Sequence, residues 1–394
     1  MPHLHKALML AATLFDIMLF SSYTRDNLDH KRRKETAFEF LDRSAWNISQ
    51  IVRQKVNEIA SAYCPDDEFL KMFKSKSDKQ HYSAVFELLV YALLTRSNLA
   101  LTRHPKTKTG KRPDFQAEVE KTKLFIECTL AGHSFESLEE KNRKDTVEEI
   151  VDDLEYYPYW INLDFQTISE QSISKKKLLN FIDKVKDSSE AVPDEALFEK
   201  KYLYEDDGWN IEISLLRKTQ PDIKRSLGFI SDNAKTIDTS KPILTALQDK
   251  KGSRYGIETE PYIIFLNTND LFTKENCFSE ALFGQYGDSK IDRSYISQNG
   301  FYLANNKPIN RSVSAVVIFR NFDLFTLESS SIAIWHNPFA KNKLPNNLLP
   351  FDEYIYNTEG DYLEKNIIKK EKDIFQILDI DKEKYIASKD KADI

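Results

Sequence analysis

Residues 109–132 read TGKRPDFQAEVEKTKLFIECTLAG. Within this stretch KLFIECTL (123–130) and DFQAEVE (114–120) have the apolar, β-branched and aromatic content of strands, and the polar Lys121-Thr122 supplies a turn between them. Side chains alternate along a strand, so Leu124, Ile126, Cys128 and Leu130 make an ordinary core face. The opposite face carries Phe125, Glu127 and Thr129. A carboxylate at the centre of such a strand lies either on a wet face or inside, held by a partner. If the two strands pair as a hairpin, Asp114, which directly follows Pro113, comes out at the same end of the sheet as Glu127. Two carboxylates converging there make a hard-oxygen site suited to Mg²⁺, which binds through one or two carboxylates together with waters and substrate phosphate.

A third acid stands upstream. Glu87 interrupts VFELLVYALL (85–94), an otherwise almost wholly apolar helical stretch. An ionised Glu packed in a core needs a partner, and a metal, a bound water or a lysine each qualifies. The alternative is a surface pair with Lys79 or Arg96 along the helix. His104 before Pro105 either lines the same cleft or packs structurally, and His336 in WHNPFA reads as a packed histidine.

Around this centre the pattern is α, then βββ, then mixed α/β. Helices are expected in 36–63 and 78–97, and a first strand in NLALTRH (98–104). A highly charged helix follows over 138–157. Strands 160–166 and 209–218 flank a basic helix, 174–187. A helix over 241–255, with Pro242 in its first turn, leads to PYIIFLNT (261–268), a continuous apolar run expected of a strand buried on both faces. Further strands are expected in 312–322 and 331–337. The spacing predicts an N-terminal helical region (1–77), a core (78–345) with an insertion at about 157–235, and a charged C-terminal tail (346–394). The apolar stretch 7–20 is broken by Asp16 and falls short of a membrane span. Its helical spacing fits a core helix or a dimer or partner contact, with a targeting segment as the alternative.

The 394 residues, 41% hydrophobic and 12% aromatic, can fill a sizeable core. A formal charge of −6 gives no support for a chain coated onto nucleic acid throughout. Ten glycines, with neither GxGxxG nor GxxxxGK[ST], argue against a glycine-rich phosphate loop. Three cysteines, Cys64, Cys128 and Cys277, without CxxC spacing, fit a reducing, cytoplasmic setting better than a disulfide framework or zinc site. Locally the balance is basic. Between Thr102 and Lys123, Arg103, Lys106, Lys108, Lys111, Arg112, Lys121 and Lys123 outnumber three acids. Lys175, Lys176, Lys177, Lys184 and Lys186 make a second patch. Such patches either grip a phosphate backbone without regard to sequence or simply solubilise loops.

In order along the chain, HYSAVFELLVYALL, TRHP, KRPDF and LFIECT resemble the PD-(D/E)XK nuclease superfamily, and within it a bacterial branch with E-x-T in place of E-x-K. The similarity extends through FEFLDRSAW (38–46), KKGSRYGIETEPYIIFLN (250–267), EALFG (280–284), RSVSAVVIF (311–319) and HNPFAKNKLP (336–345), roughly residues 19–350. It implies a restriction-endonuclease-like α/β fold, a mixed sheet flanked by helices. It further implies a Mg²⁺- or Mn²⁺-dependent nuclease acting on DNA rather than RNA, in defence against phage. By that resemblance Asp114, Glu127 and Glu87 would be the metal residues; from the basic patch and the cleft beside them, Arg103, His104, Lys111 and Arg112 are expected to face substrate. The departure is Thr129, where the superfamily has a lysine that offsets charge on the phosphate. A neutral hydroxyl does not replace it. Lys123, four residues back on the same face, lies about 13 Å away at strand rise, so the expected substitute is Lys251 on the 241–255 helix, and Lys251 or Thr129 would contact the scissile phosphate or the attacking water. Without a substitute cation, the chain would be a nuclease-fold protein that binds or senses nucleic acid, or serves a partner, without cutting.

Overall fold

The computed structural model describes residues 18–32, 34–119, 122–132, 138–155, 157–197, 199–220, 223, 225–228, 240–268, 273–284, 300–305, 307–357, 364–369 and 373–389. Most of the apolar N-terminal stretch lies outside these residues. At its end Leu19 and Phe20 are buried, the latter against Phe38 and Phe73.

Among the described residues the first helices are α1 (Ala37–Arg43), α2 (Asn47–Tyr63), α3 (Asp67–Phe73) and α4 (Asp78–Arg96). Thr36 and Glu39 form a reciprocal capping box at the start of α1, and Asp66 caps α3 through the Phe69 amide. Strands β1 (Ala100–Arg103), β2 (Phe115–Val119) and β3 (Thr122–Ala131) follow, then α5 (Leu138–Asp152), β4 (Tyr159–Thr167), α6 (Lys175–Ser189), α7 (Asp194–Leu197), β5 (Tyr202–Asp206) and β6 (Trp209–Arg217). Next come α8 (Ser240–Gln248), a 3₁₀ turn (Gly252–Tyr255), β7 (Tyr262–Thr268) and α9 (Glu275–Phe283). The short pair β8 (Leu303–Ala304) and β9 (Lys307–Pro308) precedes β10 (Ala315–Arg320), β11 (Ser331–His336), β12 (Asp352–Asn357), β13 (Glu364–Ile368), α10 (Ile374–Leu378) and α11 (Lys382–Lys389).

Two compact units emerge. The first comprises residues 1–30, 36–134 and 238–394, and the second 31–35 and 135–237. In the first, eight strands run in the order β1-β2-β3-β7-β10-β11-β12-β13. β1, β2 and β3 are antiparallel neighbours, whereas β3-β7 and β7-β10 are parallel. The sheet is therefore mixed. Alternation sorts its side chains into two cores. Leu124, Ile126, Ile263, Phe265, Val317 and Phe319 pack with the apolar faces of α2 and α4. Ile264, Leu266, Val316 and Ile318 pack with Ile243 and Leu247 of α8 and with Phe278 and Leu282 of α9. β7 is buried at every position, as its unbroken apolar run requires.

Within residues 346–394, expected to be a charged tail, two segments extend this sheet. β12 pairs parallel with β11, and β13 closes the edge antiparallel to β12. The Tyr354 and Trp335 rings stack at 4.3 Å. His336 meets the fully buried carboxylate of Glu353 at 3.0 Å, a partner seventeen residues away that the local sequence did not reveal.

The second unit holds the antiparallel sheet β4-β6-β5. Leu178, Ile182 and Val185 of α6 and Val147 and Val151 of α5 close its core. The basic character of α6 is partly cancelled there, since Lys177 pairs with Asp206 at 2.6 Å and Lys175 with Asp153 at 3.4 Å.

Candidate active site

The β2-β3 hairpin sets the geometry. Phe115 lies opposite Ile126, so the antiparallel register carries Asp114 across from Glu127 at the open end of the pair. Asp114 Oδ2 accepts a 2.6 Å hydrogen bond from the Cys128 amide, which ties the acid to the neighbouring strand. On the other side the His104 amide donates to the Asp114 carbonyl at 2.9 Å. His104 itself adopts φ 44°, a left-handed conformation that turns the chain sharply out of β1 into Pro105.

Glu127 is 3% exposed and points to the α8 side of the sheet with Phe125 and Thr129. Its Oε1 accepts a short hydrogen bond from Lys250 Nζ, and its Oε2 is buried without a hydrogen-bond partner. Lys250 is held by its own backbone, because the Tyr262 hydroxyl donates to its carbonyl at 2.9 Å. The lysine that reaches Glu127 is Lys250, the neighbour of the expected Lys251. α8 stops at Gln248 instead of running on to 255, and a turn through Asp249 and Lys250 leads into the 3₁₀ segment. That turn aims Lys250 inward and leaves Lys251 exposed at the N-cap of the 3₁₀ turn.

Glu87, 8% exposed, comes from the opposite direction on α4. Its Oε1 accepts a short hydrogen bond from the buried Tyr63 hydroxyl and lies 3.6 Å from His104 Nε2. Neither Lys79 nor Arg96 is its partner. Arg96 donates instead to Glu58 and to the Leu378 carbonyl.

Three acids and one lysine share this space, and the titration behaviour reflects it. Burial, then the charges of Glu127 and Glu87, hold the Asp114 carboxyl well above its ordinary range, against the opposing pull of the Cys128 amide and Lys250. Burial likewise raises Glu87, even though Tyr63, His104 and Arg103 each favour its anion. For Lys250 burial works to lower the pKa, but Glu127 and Asp114 outweigh it and the net shift is upward. Burial and then Glu127 raise the neighbouring Tyr255 phenol. The cluster carries an excess of negative charge that only an added cation or protons can neutralise.

Several expected residues occupy other positions. Arg103 is committed to structure: Nη1 donates to the Tyr63 and Cys64 carbonyls at 2.6 and 2.8 Å, and the guanidinium stacks 3.6 Å over the Tyr63 ring. Its Nη1 thereby satisfies carbonyls at the C-terminal end of α2, where Cys64 turns left-handed. Lys111 and Arg112 are exposed on the turn just before Pro113-Asp114. That turn is tied to the 3₁₀ segment by Thr109, whose hydroxyl donates to the Arg254 carbonyl at 3.2 Å. Thr129 is half-buried beside Leu266 of β7, on the face of Glu127. Tyr63, Tyr255 and Lys250 were missed. Tyr63 had no motif to mark it, whereas Lys250 lay next to the residue chosen.

Comparison with protein-family models, curated proteins and solved structures finds no match. The residues themselves therefore carry the functional reading. The donor atoms of Glu87, His104 and Asp114 all lie within 4.8 Å of one another, a spacing that admits a metal ion. Two carboxylates and an imidazole at this spacing fit a divalent cation, and Glu127, expected among the metal residues, is not in this set; its Oε2 is buried without a hydrogen-bond partner. No helix among the described residues is long and apolar enough to cross a membrane.

Proposed function

We propose that the chain is a metal-dependent nuclease that hydrolyses phosphodiester bonds, with DNA as substrate, on a restriction-endonuclease-like core. The observation that carries this reading is the cluster of Glu87, His104 and Asp114 donor atoms, with Glu127 beside Asp114 on the β2-β3 hairpin and bonded to Lys250. The succession of α4, three antiparallel strands and a parallel crossover to β7 supports the fold assignment.

Asp114 and Glu87 would hold a divalent metal, Mg²⁺ or Mn²⁺, which supplies Lewis acidity toward phosphate and acidifies bound water. Asp114 is positioned for this by the Cys128 amide, and Glu87 by Tyr63. Lys250 takes the electrostatic part that Thr129 cannot. Its pKa is raised, so it stays protonated at neutral pH and acts as a fixed positive charge toward a phosphate rather than as a base. Glu127 orients that ammonium. Exposed Lys111 and Arg112 add sequence-independent attraction for the backbone next to the acids.

The test is direct. Purified full-length chain is incubated with supercoiled plasmid, linear DNA and RNA, with Mg²⁺, Mn²⁺ or EDTA. Metal-dependent cutting of DNA that disappears in Asp114→Asn and Glu127→Gln is expected. Binding without cutting under both metals would sink the enzyme reading and leave a binding module.

A further inference from the structure

The nuclease reading treats the metal residues as carboxylates, yet the tightest donor set includes an imidazole. His104 Nε2 stands 3.6 Å from Glu87 Oε1. That gap is too wide for a hydrogen bond. It lies between the separations of two ligands on one ion with bonds near 2.1 Å, about 3 Å for adjacent and about 4.2 Å for opposite positions. The ring is not placed by chance packing alone. Its backbone is locked to Asp114 by the 2.9 Å amide bond, and its left-handed φ swings it out of the strand line. The two acids it meets are themselves fixed from outside, Asp114 by the Cys128 amide and Glu87 by the Tyr63 hydroxyl. Outer partners of this kind orient the groups that hold a metal. A further acid, Glu127, is nine-tenths buried, keeps one oxygen unpartnered, and acts electrostatically on both Asp114 and Glu87.

We infer that His104 is a direct metal ligand, completing a Glu87–His104–Asp114 set that takes a first-row transition ion such as Mn²⁺ in preference to Mg²⁺. The reason is chemical. Mg²⁺ is small and hard and is served by oxygen alone, whereas first-row divalent ions accept imidazole nitrogen readily. A set with one nitrogen among two carboxylates therefore discriminates between ions of equal charge. The inference rests on the proposed site but not on its cutting DNA.

The experiment uses the metal-stripped full chain, titrated with Mn²⁺ alone and in competition with Mg²⁺, and pulsed electron paramagnetic resonance of the bound Mn²⁺. His104→Asn is the variant of choice, because Asn tolerates the left-handed backbone and offers an oxygen instead of the ring nitrogen. Nitrogen coupling to Mn²⁺ is expected in the wild type and lost in His104→Asn. The preference for Mn²⁺ over Mg²⁺ is expected to exceed about tenfold and to fall by about that factor in the variant. Absence of nitrogen coupling in the wild type, which needs no variant to fold, overturns the inference, as does an unchanged ion preference in His104→Asn. Nitrogen-coupled Mn²⁺ in a protein that cuts nothing upholds the ligand and removes the nuclease reading. Mg²⁺-driven cutting without nitrogen coupling does the reverse.

Discussion

Lys250 Nζ donates to Glu127 Oε1 across 123 positions of sequence, and the bond lies on the same face of β3 as Thr129. Lys250→Ala is therefore expected to lower DNA cleavage by at least about a hundredfold, the scale of losing one preorganised charge at a reacting phosphate. Lys251→Ala, at an exposed N-cap, is expected to leave cleavage unchanged. Nicking of plasmid at matched protein concentration separates the two variants, and equal losses in both would count against the assignment.

The same pair carries a stability prediction. Removing Lys250 strands a buried Glu127, costing about 3 kcal/mol by the usual scale for breaking a buried ion pair. Removing both charges with Lys250→Met and Glu127→Gln together is expected to recover most of that. Urea melts of the two single variants and the double variant provide the coupling term.

Asp114 tests whether the site is held under electrostatic tension. Its folded pKa lies above the unfolded value, so the folded state holds the proton more tightly and stability falls as pH rises through the interval between them. In EDTA at neutral pH, Asp114→Asn is expected to be more stable than wild type by about 1 kcal/mol, with the gain shrinking toward acid pH. Thermal melts from pH 4 to 8 check this. A variant less stable than wild type at every pH contradicts it.

His81 provides a pH effect away from the acids. It is 2% exposed, packs on Phe73 and has Nδ1 2.6 Å from the Phe73 carbonyl. Burial holds its pKa below the usual value, against the pull of that carbonyl and of Asp78. The unfolded chain then takes up a proton first as pH falls below about 6.5, so stability is full above that point and declines beneath it. His81→Gln is expected to flatten this part of the curve relative to wild type. Parallel slopes for the two proteins between pH 5 and 7 would show that His81 does not contribute.

Tyr63 offers a subtler probe. Tyr63→Phe removes the hydroxyl that favours the Glu87 anion while keeping the ring under Arg103. Glu87 is then harder to ionise, and metal affinity in calorimetric titration is expected to weaken several-fold and most strongly at lower pH. A uniform loss across pH would point to packing instead.

The sequence is most legible where period and chemistry coincide. KLFIECTL was expected as a strand over 123–130 and lies within β3, Thr122–Ala131, with Glu127 and Thr129 on one face. The unbroken apolar run 261–268 falls on β7 because a strand with cores on both sides has no polar alternation to disguise it. Legibility fails at breaks and at long range. Nothing in ALQDKKGSRY announces that the helix ends at Gln248, and that one break decides which of two adjacent lysines turns inward. Arg103 reads as a phosphate contact, and nothing near it in sequence announces that its Nη1 also bonds the carbonyls at the end of α2. DEYIYN reads as part of a charged tail because Glu353 hides its partner His336 in another strand.

The distance along the chain between Glu127 and Lys250 also sets an order of events during synthesis. β3 emerges from the ribosome with its inward carboxylate before the whole of residues 135–237, and neither its strand partner β7 nor its counter-charge yet exists. A nascent chain that halts short of Lys250 holds the acids without the ammonium that complements them. Loop closure over so long a span is slow, and the Glu127–Lys250 pair forms only after more than a hundred intervening residues have left the ribosome.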